Sequence, residues 1–138
     1  MKVFLLIFSF FILTLLGDEP NIVPPKIKIA VLCAPSVVGR YAQSSYNVAL
    51  ATFLSTNRPF ELISYNINDE SASSIAVALE KINNENVDGI LAPLTLNGVK
   101  NLLMSGTDKL VFIPTVHKRD VESAPENFIF GAIDYQAQ

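Results

Sequence analysis

The stretch Lys26-Ile27-Lys28-Ile29-Ala30-Val31-Leu32-Cys33-Ala34, followed by Pro35-Ser36-Val37-Val38-Gly39-Arg40 and then by residues 41–54, decides how the chain is read. Its first part alternates briefly and then turns wholly apolar. A continuous apolar run bounded by a turn predicts a strand buried on both faces, as in the middle of a parallel sheet. The second part is a short loop. In the third, Ala42, Tyr46, Ala49, Leu50 and Phe53 recur at three- and four-residue steps, the spacing of one face of a helix. Ser44, Ser45, Asn47 and Thr52 fill the other sides, and the small Ala42, Ala49 and Ala51 permit close approach to a sheet.

Outward from this unit the same strand-then-helix grammar repeats. Residues 60–68 form a second strand whose partial alternation suits a position nearer a sheet edge. Asp69-Glu70-Ser71 caps the next helix, with acids in its first turn complementing the helix dipole. That helix carries the stripe Ile75, Ala78, Leu79 and Ile82 and stops at residues 83–86. Residues 87–94 read as a third strand. Thr95-Leu96-Asn97-Gly98 reads as a turn with Asn97 as the cap. A helix lined by Val99, Leu102 and Leu103 follows and ends near Gly106. Residues 110–114 are a fourth strand, and residues 116–127 a polar loop with at most one helical turn. Residues 127–134 are a fifth strand, and Tyr135-Gln136-Ala137-Gln138 opens another helix. Strands separated in this way imply an α/β three-layer sandwich: a parallel sheet with right-handed crossovers, in the order 2-1-3-4-5. Ligands of such sheets bind beyond the carboxyl ends of the strands, near the switch point between the first and third. The candidate surface is therefore residues 35–40, 94–97, 115–117 and 134–136.

With 138 residues the chain holds one domain at most. Its net charge of −3 leaves no basic footprint, and no nucleic-acid partner is expected. Residues 1–17 combine Lys2, an apolar run from Val3 to Leu16 and a small residue, Gly17, before a polar stretch. That is the pattern of a secretory signal peptide. Leu15 stands where a small residue is preferred, so an uncleaved N-terminal anchor is the competing reading. Residues 18–25 are a linker held extended by Pro24 and Pro25, and residues 26–138 form the α/β lobe. The lobe ends inside a helix pattern without a stop signal, which predicts that it is incomplete at its C-terminus, the front part of a longer protein.

Signals of catalysis are missing. No Gly-x-Gly-x-x-Gly or Gly-x-x-x-x-Gly-Lys pattern occurs, so no nucleotide or flavin cofactor is expected. The lone Cys33 lies in the central strand and reads as a small core hydrophobe rather than a nucleophile. The lone His117 reads as a loop residue, and the two make no metal cluster. No nucleophile–base pair can be assembled, and the expected protein is not an enzyme.

The motifs taken together resemble a known family. Ile29-Ala30-Val31-Leu32 before a loop and Gly39-Arg40-Tyr41-Ala42-Gln43 opening a helix are similar to the start of the type I periplasmic binding proteins, the leucine/isoleucine/valine class. Val87-Asp88-Gly89-Ile90-Leu91-Ala92-Pro93-Leu94-Thr95 resembles that family's strand-and-turn segment, with Ala92 where glycine is usual. Phe112-Ile113-Pro114-Thr115, and Phe128-Ile129-Phe130-Gly131 with Asp134-Tyr135-Gln136-Ala137, follow in the family's order. The resemblance covers residues 26–138 and implies the N-terminal lobe of a two-lobed, periplasmic solute-binding protein. Its implied partners are a small-molecule ligand such as an amino acid and the membrane components of an ABC transporter. The same motifs also resemble the C-terminal domain of the outer-membrane activator of peptidoglycan synthases, which implies instead a non-catalytic module that docks on an envelope protein.

In the amino-acid binders, the turns after the third and fourth strands offer hydroxyls and backbone N–H groups to the ligand's carboxylate. The matching positions are Thr95, Leu96 and Asn97, then Thr115 and Val116, with apolar Leu96 and Val116 departing from the family's preference for hydroxyls. The competing reading of Thr95 is a turn hydroxyl bonded to its own backbone. Ser36 and Arg40, after the first strand, complete the candidate ligand set. Arg40 is placed to meet an anion, against the plainer reading of a solvated first-turn arginine.

Overall fold

Residues 25–132 are described by the computed structural model of the chain. The leader, most of the linker, and the residues from Ile133 onward, including the helix expected at Tyr135, lie outside them. Strand β1 (Ile27–Cys33) is followed by a one-turn helix α1 (Pro35–Val38) and the long helix α2 (Arg40–Leu54). Then come β2 (Phe60–Asn66), α3 (Ala72–Asn84), β3 (Gly89–Leu91), α4 (Leu96–Ser105), β4 (Leu110–Ile113), a 3₁₀ turn (Lys118–Asp120) and β5 (Phe128–Phe130).

All neighbouring strands are parallel, and their order is β2-β1-β3-β4-β5, as the sequence predicts. The order follows from chain chirality. A right-handed crossover from β1 to β2 puts α2 on one face of the sheet. The crossovers from β2 to β3 and from β3 to β4 run the other way and put α3 and α4 on the opposite face.

Register sorts the side chains between these faces. Ala30, Leu32, Ile90, Ala92, Val111, Ile113 and Phe128 pack with Ile75, Leu79, Ile82, Val99 and Leu102 of α3 and α4 in one buried core. The predicted α3 stripe of Ile75, Ala78, Leu79 and Ile82 is buried throughout. The α2 face is different. Ala42 is the buried residue of α2, and it joins Cys33 and Val38 in a small separate cluster. Tyr46, Ala49, Leu50 and Phe53 are only half-buried, with Phe53 stacked on Phe60 of β2 at 5.0 Å between ring centroids.

Two expectations need correcting. The stretch 35–40 is not all loop: Pro35 opens a helical turn, as proline at a first helical position favours, and Gly39 separates it from α2 at φ +54°. The N-cap of α4 is Thr95, not Asn97. Its Oγ1 accepts from the Gly98 N–H at 3.4 Å, while Asn97 sits exposed within the first turn.

Candidate functional site

The carboxyl ends of β1, β3 and β4 are neighbours because the strands themselves are neighbours. The turns leaving them therefore form one crest: α1 after β1, residues 94–98 after β3, and residues 114–117 after β4. Ser36, Thr95, Leu96, Asn97, Thr115 and Val116 lie on this crest, and Arg40 lies just beyond α1, at the start of α2. Ser36 lies in α1, and its hydroxyl donates to the Asn68 carbonyl at 2.5 Å, tying the end of β1 to the loop after β2. Arg40 opens α2 exposed, its guanidinium 5.9 Å from the centroid of the Tyr41 ring. Thr115 donates its hydroxyl to the Leu94 carbonyl at 2.5 Å, which draws the β4 turn against the β3 turn. Val116 is buried among the α3–α4 core residues, so its side chain faces inward. Leu96 and Asn97 project outward from the start of α4. Asp134 to Gln136 lie outside the described residues.

The most tightly held group at the crest is one the sequence reading assigned elsewhere. Glu70 does not serve the first turn of α3. Ser71 caps that helix, accepting from the Ser74 N–H at 3.3 Å, and Asp69 Oδ1 accepts from the Ser71 N–H at 2.9 Å. The Ser71 and Ser74 hydroxyls, and after them the Ser71 N–H, hold the Asp69 carboxyl down at about 2. Glu70 turns the other way, across to α4. Its carboxylate accepts from the Thr95 N–H at 3.0 and 3.2 Å and from the Thr95 hydroxyl. Asn101, one turn along α4, donates its side-chain amide to the Glu70 carbonyl at 2.7 Å. Glu70 is the buried charged residue among the described ones, at 8% exposure. Its negative charge sits at the positive end of the α4 dipole. Gly98 makes the room: a Cβ there would lie 2.5 Å from Glu70 Oε2. No local signal announces this contact, because its two halves are 25 residues apart.

Cys33 is buried at the end of β1 and donates its Sγ–H to Asn66 Oδ1 at 3.3 Å. Burial pushes its thiol above the ordinary range, away from the thiolate that a nucleophile requires. His117 is half-buried at the start of the 3₁₀ turn. Among the described residues no group of three or more His, Cys, Asp or Glu side chains is placed to hold a metal ion.

A concavity lies on the α2 face rather than on the crest. It is a groove of about 430 Å³ between α2 and strands β3 and β4, lined by Ile29, Val48, Phe53, Leu91, Leu110 and Phe112 among others, with Ser44, Ser45 and Thr52 along its helical wall. No protein-family model, curated protein or solved structure matches this chain.

Proposed function

We propose that the chain is a solute-binding lobe of the type I periplasmic kind, acting outside the cytoplasm as the amino-acid-binding component of an ABC transporter does. The observation that carries this reading is the crest. The turns after β1, β3 and β4 leave neighbouring strands of a 2-1-3-4-5 parallel sheet whose switch point lies between β1 and β3, and the residues that resemble the family's ligand turns, Thr95 to Asn97 and Thr115 to Val116, belong to two of these turns. The leader, with its basic start and apolar run, supports export. Chemically the crest offers short turns that carry hydroxyl and backbone hydrogen-bonding groups, which suits reversible capture of a small polar solute. In the resembled family a second lobe closes over the ligand, and burial between two lobes supplies the enclosure that a single open crest lacks.

Thermal unfolding with and without a panel of amino acids at millimolar concentration tests this. A melt raised by one member of the panel supports the reading; a melt unmoved by all of them counts against it. The alternative, a docking module for an envelope protein, is favoured by one observation: the α2 face leaves Leu110, Phe112 and Ile129 exposed beside the groove. For that reading, solutes leave the melt unchanged and an envelope protein binds the chain.

A further inference from the structure

We propose that the outer edge of β2 is a docking surface for a second copy of this chain: two β2 strands pair antiparallel about a twofold axis at Ile63, and the two sheets become one. The two edges of the sheet are built differently. β5 is three residues long, the short edge strand by which natural sheets avoid pairing. β2 runs for seven residues without proline, lysine or glycine, and its register with β1 is unbroken from Phe60 to Asn66, so no bulge turns it aside. Its one charge, Glu61, is already paired at 3.1 Å with Lys26, just before β1.

The outward hydrogen-bonding groups follow from the inward ones. The Ile27 N–H donates to the Pro59 carbonyl at 3.0 Å, and the Ile67 N–H donates to the Cys33 carbonyl at 2.9 Å. Backbone groups alternate in direction along a strand, so those of Glu61, Ile63 and Tyr65 also face β1, while those of Phe60, Leu62, Ser64 and Asn66 face away from it. Among the described residues no strand lies beyond them, and Ser64 and Asn66 are exposed. Ile63 is the midpoint of β2, so an axis there overlaps the whole strand. The outward residues then oppose one another as hydrogen-bonded pairs, Phe60 with Asn66 and Leu62 with Ser64, making about eight bonds in all. Glu61 falls opposite Tyr65, with about 14 Å of strand between the two Glu61 positions. Any other register shortens the overlap, and one centred on Glu61 sets carboxylate against carboxylate. Strand pairing covers a strip roughly 23 Å long. Val77 of α3 widens it: this side chain is 54% exposed and shares a shallow concavity with Asn66, Ile67 and Asn68 at the end of β2. Such a contact stands at the small end of specific interfaces, so the dimer is a weak one, with a dissociation constant in the micromolar range.

The test uses the full chain. An axis at Ile63 makes residue 63 its own partner in a non-hydrogen-bonded antiparallel pair, whose Cα atoms lie about 4.5 Å apart, within disulfide reach. Under mild oxidation Ile63→Cys is expected to form a covalent dimer whose linked peptides join residue 63 to residue 63. Glu61→Cys, too far from its copy, is expected to remain unlinked. Buried Cys33 is present in both variants. Sedimentation equilibrium supplies the second arm. Ser64→Pro removes an outward N–H and seats a ring on the seam while keeping the bonds to β1. Its urea midpoint is expected to stay near that of wild type, and its dimer dissociation constant to rise roughly tenfold or more. Ser64→Thr, which keeps the N–H, is expected to associate as wild type does. If Ser64→Pro loses its cooperative melt, the two cysteine variants decide. A wild type that stays monomeric at every concentration, a dimer as tight in folded Ser64→Pro as in wild type, or Glu61→Cys linking as fast as Ile63→Cys overturns the proposal. The second of these is the result expected of copies joined through Leu110 and Phe112 instead. No readout involves an amino acid, so failure here and failure of the solute reading are separate results.

Discussion

Alternate residues of β4 show how unlike the two faces of the sheet are. Val111 and Ile113 are fully buried beneath α3 and α4, whereas Leu110 and Phe112, pointing the other way, are 52% and 42% exposed. The pattern continues into β5, where Phe128 is buried and Ile129 is exposed. The cause is topological. Successive rightward crossovers place their helices on one face, so α3 and α4 both lie there, while among the described residues α2 is the helix of the other face, stacked on β2 through Phe53 and Phe60. Stability is thus concentrated on the α3–α4 side, and the α2 side over β3 to β5 is open apolar surface. Parallel sheets are ordinarily covered on both faces, so the exposed Leu110, Phe112 and Ile129 depart from that rule.

The contrast can be broken most forcefully from the closed side. Ile113→Ala, or Ile75→Ala in α3, removes a fully buried side chain and is expected to cost about 2–5 kcal/mol, read from urea denaturation midpoints. Next comes the Glu70 clamp that ties the loop after β2 to α4 on that side. Gly98→Ala forces the carboxylate out and Glu70→Ala removes it. Each is expected to cost roughly 2–3 kcal/mol, the scale of hydrogen bonds to a charged group. The double variant should cost little more than either, because both delete one interaction. If their effects add, Gly98 is glycine for a reason other than Glu70.

The open side should respond weakly. Leu110→Ser and Phe112→Ser are expected to shift stability by less than about 1 kcal/mol, read from the same urea midpoints. A loss as large as that of Ile113→Ala would mean that the face is covered.

The smallest effects are ionic and lie at the two ends of the pH scale. Burial, and secondarily the Glu85 carboxylate, push the Tyr65 phenol up to about 12. The unfolded chain releases that proton at about 10, so this contribution is complete below pH 10 and is lost as pH rises toward 12. Asp69 behaves oppositely. Held at about 2, it contributes above the ordinary carboxylate value near 4, and the contribution fades as pH falls toward 2. Ultraviolet phenolate titration and an acid denaturation series of Asp69→Asn read the two.

How far the sequence reaches differs between the same two regions. The closed face is legible: the α3 stripe from Ile75 to Ile82, the apolar strands and their order all follow from periodicity and chirality, because a helix packed on a sheet must show its apolar face. The open face is not. Leu110-Val111-Phe112-Ile113 is apolar at every position, which predicts burial on both sides, and no strand pattern distinguishes a covered side chain from one awaiting cover. At the crest the location was legible and the wiring was not. Thr95, Thr115 and Ser36 fall where the strand ends put them. Their hydroxyls bond to Glu70, Leu94 and Asn68, partners set by tertiary approach rather than by spacing. Glu70 read as a first-turn acid because Asp69-Glu70-Ser71 precedes a helix, and only the approach of α4 turns it aside.

The most direct test of a crest that receives solute is residue-resolved nuclear magnetic resonance of the isotope-labelled chain, titrated with the amino acid that raises its melt most. The account predicts shifts centred on the amides of Ser36, Leu96, Asn97 and Val116. Shifts confined to Val48, Leu110, Phe112 and Ile129, or none from any amino acid, would contradict it and hand the function to the open face.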